Sequence, residues 1–194
     1  AITVTATGTR MEVAATGQPV TVLGAAEIAS VQGADLARVL ERVPGRRVSR
    51  NGGAGGFTGV RLRGAEAEQT LVVLDGVRVA DPAAPGGGFD FGTLAALNFD
   101  KIEVLRSSNS TVWGSDAIGG VVVATTRAQT GLAGSVEYGA RDTATGAVSG
   151  GIGGERGFLG VSAGWFRTDG FSSAAAGTEA DGFVQWSLGG DGRL

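Results

Sequence analysis

The sequence predicts an α+β domain, a small mixed sheet with short helices and long loops, followed by a run of antiparallel β-strands. Three observations carry that expectation. Leu36, Val39, Leu40 and Val43 fall at i, i+3, i+4 and i+7, one apolar stripe with Arg38, Glu41 and Arg42 facing away. Short apolar runs at 20–23, 60–63, 71–74, 102–105 and 119–126 surround this helix without the repeating rhythm of a doubly wound sheet. From Gly131 onward the apolar residues alternate with small or polar ones at period two.

Val20 to Leu23 reads as a strand, and Ala25 to Val31 as a short helix closed by Gly33. Asp35 can cap the start of the second helix, and Pro44-Gly45 ends it. Val60 to Arg63, Leu71 to Leu74, Ile102 to Leu105 and Gly119 to Thr126 complete the strands of the first domain. Two glycine-rich loops, Arg50 to Gly59 and Asp81 to Phe91, exceed what connection requires, and loops of that length are functional or disordered. Each carries bulky or polar residues, Asn51 and Phe57 in one and Asp81 and Phe89 in the other, where a flexible linker would carry serine.

In the last third, Leu132, Val136, Tyr138 and Ala140 share one face while Ala133, Ser135, Glu137 and Gly139 share the other. Ala144 to Gly153, Phe158 to Arg167 and Phe183 to Gly189 follow, joined by a tight turn at 154–156 and a longer loop over 168–181. Leu159, Val161, Ala163 and Trp165 alternate with glycine and serine, as Val184, Trp186 and Leu188 do with Gln185 and Ser187. Tyr138, Trp165 and Trp186 near strand ends suit an interfacial aromatic girdle, and equally an aromatic row within a soluble sheet.

Composition excludes several functions. The 194 residues contain no cysteine and no histidine, so disulfides, thiolate and imidazole metal sites and imidazole acid–base chemistry are ruled out. A net charge of -3 with scattered basic residues argues against nucleic acid as a partner. Thirty-six glycines, well above the usual share of ~7%, occur with only four prolines, which places glycine inside ordered structure. No apolar run approaches the ~20 residues of a transmembrane helix, though strands cross membranes with a much weaker signal. No basic segment with an apolar core opens the chain, and a processed start is the expectation. Asp75, Asp81 and Asp90 beside glycine-rich loops are the only basis for an enzyme; Asp75 reads better as a turn residue, and no phosphate-loop pattern occurs. No catalytic residue and no cofactor is assigned.

Four segments stand in a recognisable order: Leu36-Ala-Arg-Val-Leu-Glu-Arg-Val-Pro-Gly45, Val60-Arg-Leu-Arg-Gly64, Leu71-Val-Val-Leu-Asp-Gly-Val-Arg78, and Asp100-Lys-Ile-Glu-Val-Leu-Arg106 with Ser110-Thr-Val-Trp-Gly-Ser-Asp-Ala-Ile-Gly-Gly-Val-Val122. Together they resemble the plug domain of TonB-dependent outer-membrane transporters. Within that family the resemblance is nearest to the cobalamin transporters, through Arg50-Asn-Gly-Gly-Ala-Gly55, Gly114-Ser-Asp-Ala-Ile-Gly-Gly120 and Thr168-Asp-Gly-Phe171. The resemblance implies a tether over 1–7, a plug over 8–128 and the first four or so strands of an outer-membrane β-barrel over 129–194.

Further expectations come with it. Arg50, Asn51, Gly56, Phe57, Thr58 and Ala84 are the implied ligand-contacting positions, although the amide side chains of the cobalamin pattern are absent at Arg50 and Gly56. Arg63, Glu103 and Arg106 are implied as a latch between plug and barrel, with Ser107-Ser108 standing where the family has Gly-Pro. Ile2, Thr3, Val4, Thr5 and Ala6 resemble a TonB box, the tether to which an energising TonB-type protein adds a strand; an ordinary first strand or a frayed end is the alternative. Asp169, Glu179 and Asp181 gather around one loop, where the cobalamin transporters bind calcium through a richer acidic cluster, and no metal is assigned to three carboxylates.

The implied function is energy-coupled import of a large scarce solute, a corrinoid such as cobalamin, across the outer membrane of a Gram-negative bacterium. A ferric-siderophore importer and a plug-like assembly module are the alternatives. A plugged transporter barrel has about 22 strands, whereas about seventy residues follow Thr126. Lipid and further strands, from the same precursor or from a second polypeptide, are therefore expected as partners.

Overall fold

Consecutive β-branched and aliphatic residues in 70–74 and 120–126, and the apolar end of 99–105, leave these segments apolar on both faces, and such segments become central strands covered from both sides. In the computed structural model, which describes residues 3–31, 35–81, 87–94, 99–127, 130–154, 157–174 and 176–193, they do so. The strands in chain order are β1 (Thr3–Val4), β2 (Met11–Glu12), β3 (Val20–Gly24), β4 (Arg46–Arg50), β5 (Thr58–Leu62), β6 (Thr70–Leu74), β7 (Val77–Val79), β8 (Phe99–Leu105), β9 (Gly120–Thr126), β10 (Gly131–Gly139), β11 (Thr143–Gly154), β12 (Gly157–Thr168) and β13 (Phe183–Arg193). The helices are α1 (Ala25–Ala29), α2 (Leu36–Leu40) and α3 (Ser110–Trp113).

A five-stranded sheet ordered β3-β8-β9-β6-β7 forms the centre of the first domain. All its ladders are antiparallel except β6–β9, which is parallel. Ile102, Val104, Val72, Val122 and Ala124 point to one face, where they pack with Leu23, Ile28, Leu36, Val39, Leu40, Val43 and the β4–β5 hairpin residues Val60 and Leu62. Leu71, Val73, Leu105, Val121 and Val123 point to the opposite face, which Ala6 and Ala117 cover, with Trp113 partly buried beside them.

Local chemistry sets the connections. Asp35 caps α2 by accepting from Arg38 N at 2.9 Å, and Gly45 supplies the positive φ of 71° at which the chain turns into β4. The apolar stripe continues to Val43, but Pro44 cannot prolong the helix, so α2 proper ends at Leu40. Arg46–Arg50 forms a strand that hydrophobic pattern alone does not signal, because four of its five residues are polar; pairing with β5 makes it a strand. That pairing also shortens the glycine-rich loop to residues 51–57. Gly33 falls outside the described residues, as do residues 82–86 of the second glycine-rich loop.

The remaining strands form a separate four-stranded antiparallel sheet in simple sequence order, β10-β11-β12-β13. They are 9, 12, 12 and 11 residues long, enough for tilted strands to cross a bilayer. The register aligns Leu132 with Gly150, Gly150 with Val161, Val148 with Ala163, Ala163 with Leu188, and Trp165 with Trp186. Period two therefore becomes a continuous outward face of Leu132, Val136, Val148, Ile152, Leu159, Val161, Val184, Trp186 and Leu188, the last 89% exposed. Tyr138 and Trp186 lie on that face, and the Trp165 and Trp186 rings sit 6.0 Å apart. No described helix is long and apolar enough to cross a membrane.

Candidate functional site: an apical loop, two arginines and a docked amino-terminal segment

The β4–β5 hairpin carries its loop toward the wall strands. Gly52 and Gly55 adopt φ of 82° and 84°, and Asn51 N donates to Phe57 O at 3.0 Å, closing the loop at its base. A Cβ at Gly56 would run into the backbone carbonyl of Asn51, so glycine is required there for the chain to approach itself. Positions 52, 53 and 55 lie against Ser173, Phe171 and Phe183 of the wall. Arg141 lies 5.0 Å over the Phe171 ring. The wall's long loop thus meets the plug's loop, a convergence that neither stretch of sequence announces.

Of the implied ligand-contacting positions, Asn51 is exposed and Phe57 half-buried at this junction. Thr58 is different. It is fully buried, its N–H donates to Asp90 Oδ1 at 2.9 Å, and its hydroxyl donates to Gly56 O while accepting from Arg50 Nε at 3.0 Å. Arg50 also forms an ion pair with Asp35 at 2.5 Å. Thr58 and Asp90 thus act as the loop's internal scaffold, and Arg50 links the loop to the cap of α2. Ala84 lies outside the described residues.

Between Asp35, Arg38 and Arg50 on one side and Trp165, Phe166, Phe183, Gln185 and Ser187 on the other runs a crevice of about 230 Å³. That is below the roughly 300–1,000 Å³ of pockets that enclose a drug-sized ligand. Gln185 Nε2 donates to Thr93 O at 2.6 Å, a direct strut from wall to plug.

Arg63 and Arg106 are brought together. Arg63 Nη1 donates to Arg106 O at 3.1 Å, and Arg106 Nη1 to Pro44 O at 3.5 Å. The backbone at Arg63, φ 54°, is followed by Gly64 at 81°, so the side chain is presented from a left-handed turn. Arg106 Nε is buried without a hydrogen-bond partner among the described residues. Glu103 is not with them. It lies three residues back on β8, entirely buried, under the amino-terminal segment.

That segment is docked. Thr3 pairs with Glu12 and Val4 with Met11; Thr5 N and Ala6 N donate to Glu103 Oε2 at 2.5 and 2.8 Å. Trp113 Nε1 donates to Ala6 O at 2.9 Å, Lys101 Nζ lies 2.5 Å from Glu103 Oε1, and Ala6 is fully buried. Ile2 lies outside the described residues. Reasoning from sequence missed Trp113 and Lys101 as partners of this segment; a glutamate inside the apolar run Ile102 to Leu105 was the available signal.

The 168–181 loop is held by its own carboxylates. Glu179 is lowered from the ordinary glutamate pKa by a hydrogen bond from its own backbone and then by the Ser172 hydroxyl. Asp181 is lowered by the Ser173 hydroxyl and then the Ser173 N–H. Among the described residues no group of three or more carboxylates is arranged to hold a metal ion.

A mixed sheet packed against antiparallel strands with an outward apolar face is the arrangement of a plug beside part of an outer-membrane barrel wall. A family model for the TonB-dependent Receptor Plug Domain matches residues 12–121, and the chain belongs to that family, whose members are transporters and receptors of the Gram-negative outer membrane. The vitamin B12 transporter BtuB of Vibrio cholerae is 30% identical over 175 residues, covering 88% of this chain and 28% of that protein. The namesake from Photobacterium profundum is 38% identical over 113 residues, covering 58% and 18%. This chain thus spans less than a third of the curated relatives it matches.

In fold it is similar to the copper transporter OprC, with a TM-score of 0.70 at 21% identity over 89% of this chain and 28% of the other. The ferric yersiniabactin uptake receptor FyuA of Yersinia pestis gives 0.67 at 21% identity over 92% and 29%.

Proposed function

We propose that the chain is the plug and first wall segment of a TonB-dependent importer whose solute is cobalamin or another corrinoid. The observation that carries this reading is the 30% identity to a vitamin B12 transporter across 88% of the chain, wall strands included. Likeness to the pyoverdine and ferric yersiniabactin receptors, at 18% and 21% identity, supports the fold alone. In this reading Asn51 and Phe57, with Arg50 and Gly56 beside them and the buried Thr58 supporting them from within, form the plug's share of the solute surface, and Ala84 is assigned to it from the family resemblance. The solute acts by binding one plug state more tightly than another, since equal affinity for both would shift nothing. Residues 2–6 then take a strand from a TonB-type protein, while Arg63 and Arg106 latch plug to barrel through carboxylates on the remaining strands. No covalent step is asked of any side chain, and the protein is not an enzyme.

Titration of the complete transporter with cyanocobalamin and, separately, with ferric chelates, followed by each ligand's own absorption, tests this. Saturable corrinoid binding at micromolar or lower concentration, weakened about ten-fold by Asn51→Ala or Phe57→Ala, is expected. Binding of a ferric chelate with none of the corrinoid would instead establish a siderophore importer.

A further inference from the structure

Both glycine-rich loops end on the start of helix α2. Arg50 is the only charged residue between positions 48 and 60, and its guanidinium is engaged twice: Nε donates to Thr58 Oγ1 at 3.0 Å, and Nη2 meets Asp35 Oδ2 at 2.5 Å. Asp35 divides its oxygens, Oδ1 capping α2 through the Arg38 N–H and Oδ2 taking the arginine. One residue on, Leu36 N donates to Leu94 O at 2.9 Å, and the turn before Leu94 is fixed by Asp90, whose Oδ1 accepts from Thr58 N and Gly92 N. The first loop is thus anchored on α2 through Arg50 and the second through Leu94.

Five of the seven residues 51–57 are glycine or alanine, so the loop has little side chain with which to hold a shape, and ordering it costs backbone entropy. Its own bonds are Asn51 N to Phe57 O and Gly56 N to Gly53 O. Further order comes from its base. A guanidinium is a planar fork of donors, and the bond to Thr58 together with the pair to Asp35 fixes that plane. The Asp35 and Arg50 side chains are 18% and 31% exposed, so water screens the pair only in part. The carboxylate also neutralises the loop's only charge.

We propose that Asp35, on the helix and outside the loop, is a positioning residue for solute binding: by holding Arg50 at the loop's base it presents Asn51 and Phe57 in one arrangement before the solute arrives. Preorganisation of this kind raises affinity by lowering what ordering costs on binding. The proposal rests on the reading of Asn51 and Phe57 as solute contacts.

Asp35→Asn in the complete transporter tests it, because asparagine still caps a helix but leaves Arg50 without its charge partner. Amide hydrogen exchange is followed over 51–57 and over 36–41, and cyanocobalamin binding is measured alongside. Exchange over 51–57 is expected to rise about five-fold with 36–41 unchanged, and cyanocobalamin affinity to fall about three-fold. Saturating cyanocobalamin is expected to bring loop exchange back to that of the saturated parent, since the solute selects the ordered loop. Arg50→Lys, which keeps the charge and loses the fork, is expected to loosen the loop likewise.

Loop exchange equal to the parent's in both variants overturns the proposal. So does faster exchange over both segments together, which would make Asp35 a helix cap alone, and so does a loosened loop with unchanged affinity. A transporter that binds a ferric chelate and no corrinoid removes the corrinoid reading; affinity for that chelate, lowered in Asp35→Asn, then upholds the positioning role, and unchanged affinity overturns it.

Discussion

Gly120 opens β9 at a φ of 154°, and a Cβ there would collide with the Leu105 carbonyl and Leu62 Cδ1. Glycine is thus what lets β8 and β9 close over Leu62, and it is the residue on which the parallel ladder to β6 starts, opposite Thr70. Gly120→Ala is expected to destabilise the plug by about 2–4 kcal/mol, from backbone strain and overpacking together. Amide hydrogen exchange of β8 and β9 in the intact transporter checks it, and exchange no faster than in the parent would contradict the reading. Glu103 and Thr58 show the limit of inference at this scale. Residue type and neighbours marked both as functional, but burial turned one toward the amino-terminal segment and the other into a loop support.

The outward face of β10–β13 is built by alternation, and alternation makes a directional prediction possible. Val161 is exposed on that face between Gly150 and Gly190, whereas Ser162 on the same strand points inward. Val161→Arg is expected to cost about 2–4 kcal/mol of barrel stability in a bilayer, the penalty for a cation near the membrane midplane. Urea unfolding of the complete barrel in lipid vesicles measures it; a change below about 0.5 kcal/mol would mean that this face does not meet lipid. Strand identity in this region was legible because period two persists for about ten residues at a time. The strand β4 was not, since its Arg-rich sequence becomes extended only through the ladder to β5.

At the scale of the whole chain, the wall strands join each other in order and leave β10 and β13 as edges among the described residues. Open edges beside an exposed apolar face drive association in water. The chain produced alone is expected to sediment as aggregate and to disperse in detergent, by analytical ultracentrifugation in both media. A monodisperse monomer without detergent would point to the assembly-module alternative. The plug is tied to this wall by Gln185 on Thr93 and by the glycine loop under Phe171 and Phe183.

By itself the sequence determined the class: ordered motifs identify the plug, the missing cysteine and histidine remove most catalytic chemistry, and period two marks the wall strands. Those properties are local, because helix and strand periodicity and turn chemistry act over a few residues. Only the tertiary structure decided which charges meet. Glu103 and the Thr5–Ala6 backbone are nearly a hundred positions apart, as are Gln185 and Thr93. Such pairs are set by sheet order and by which face of a strand is buried, and a single sequence carries no record of either.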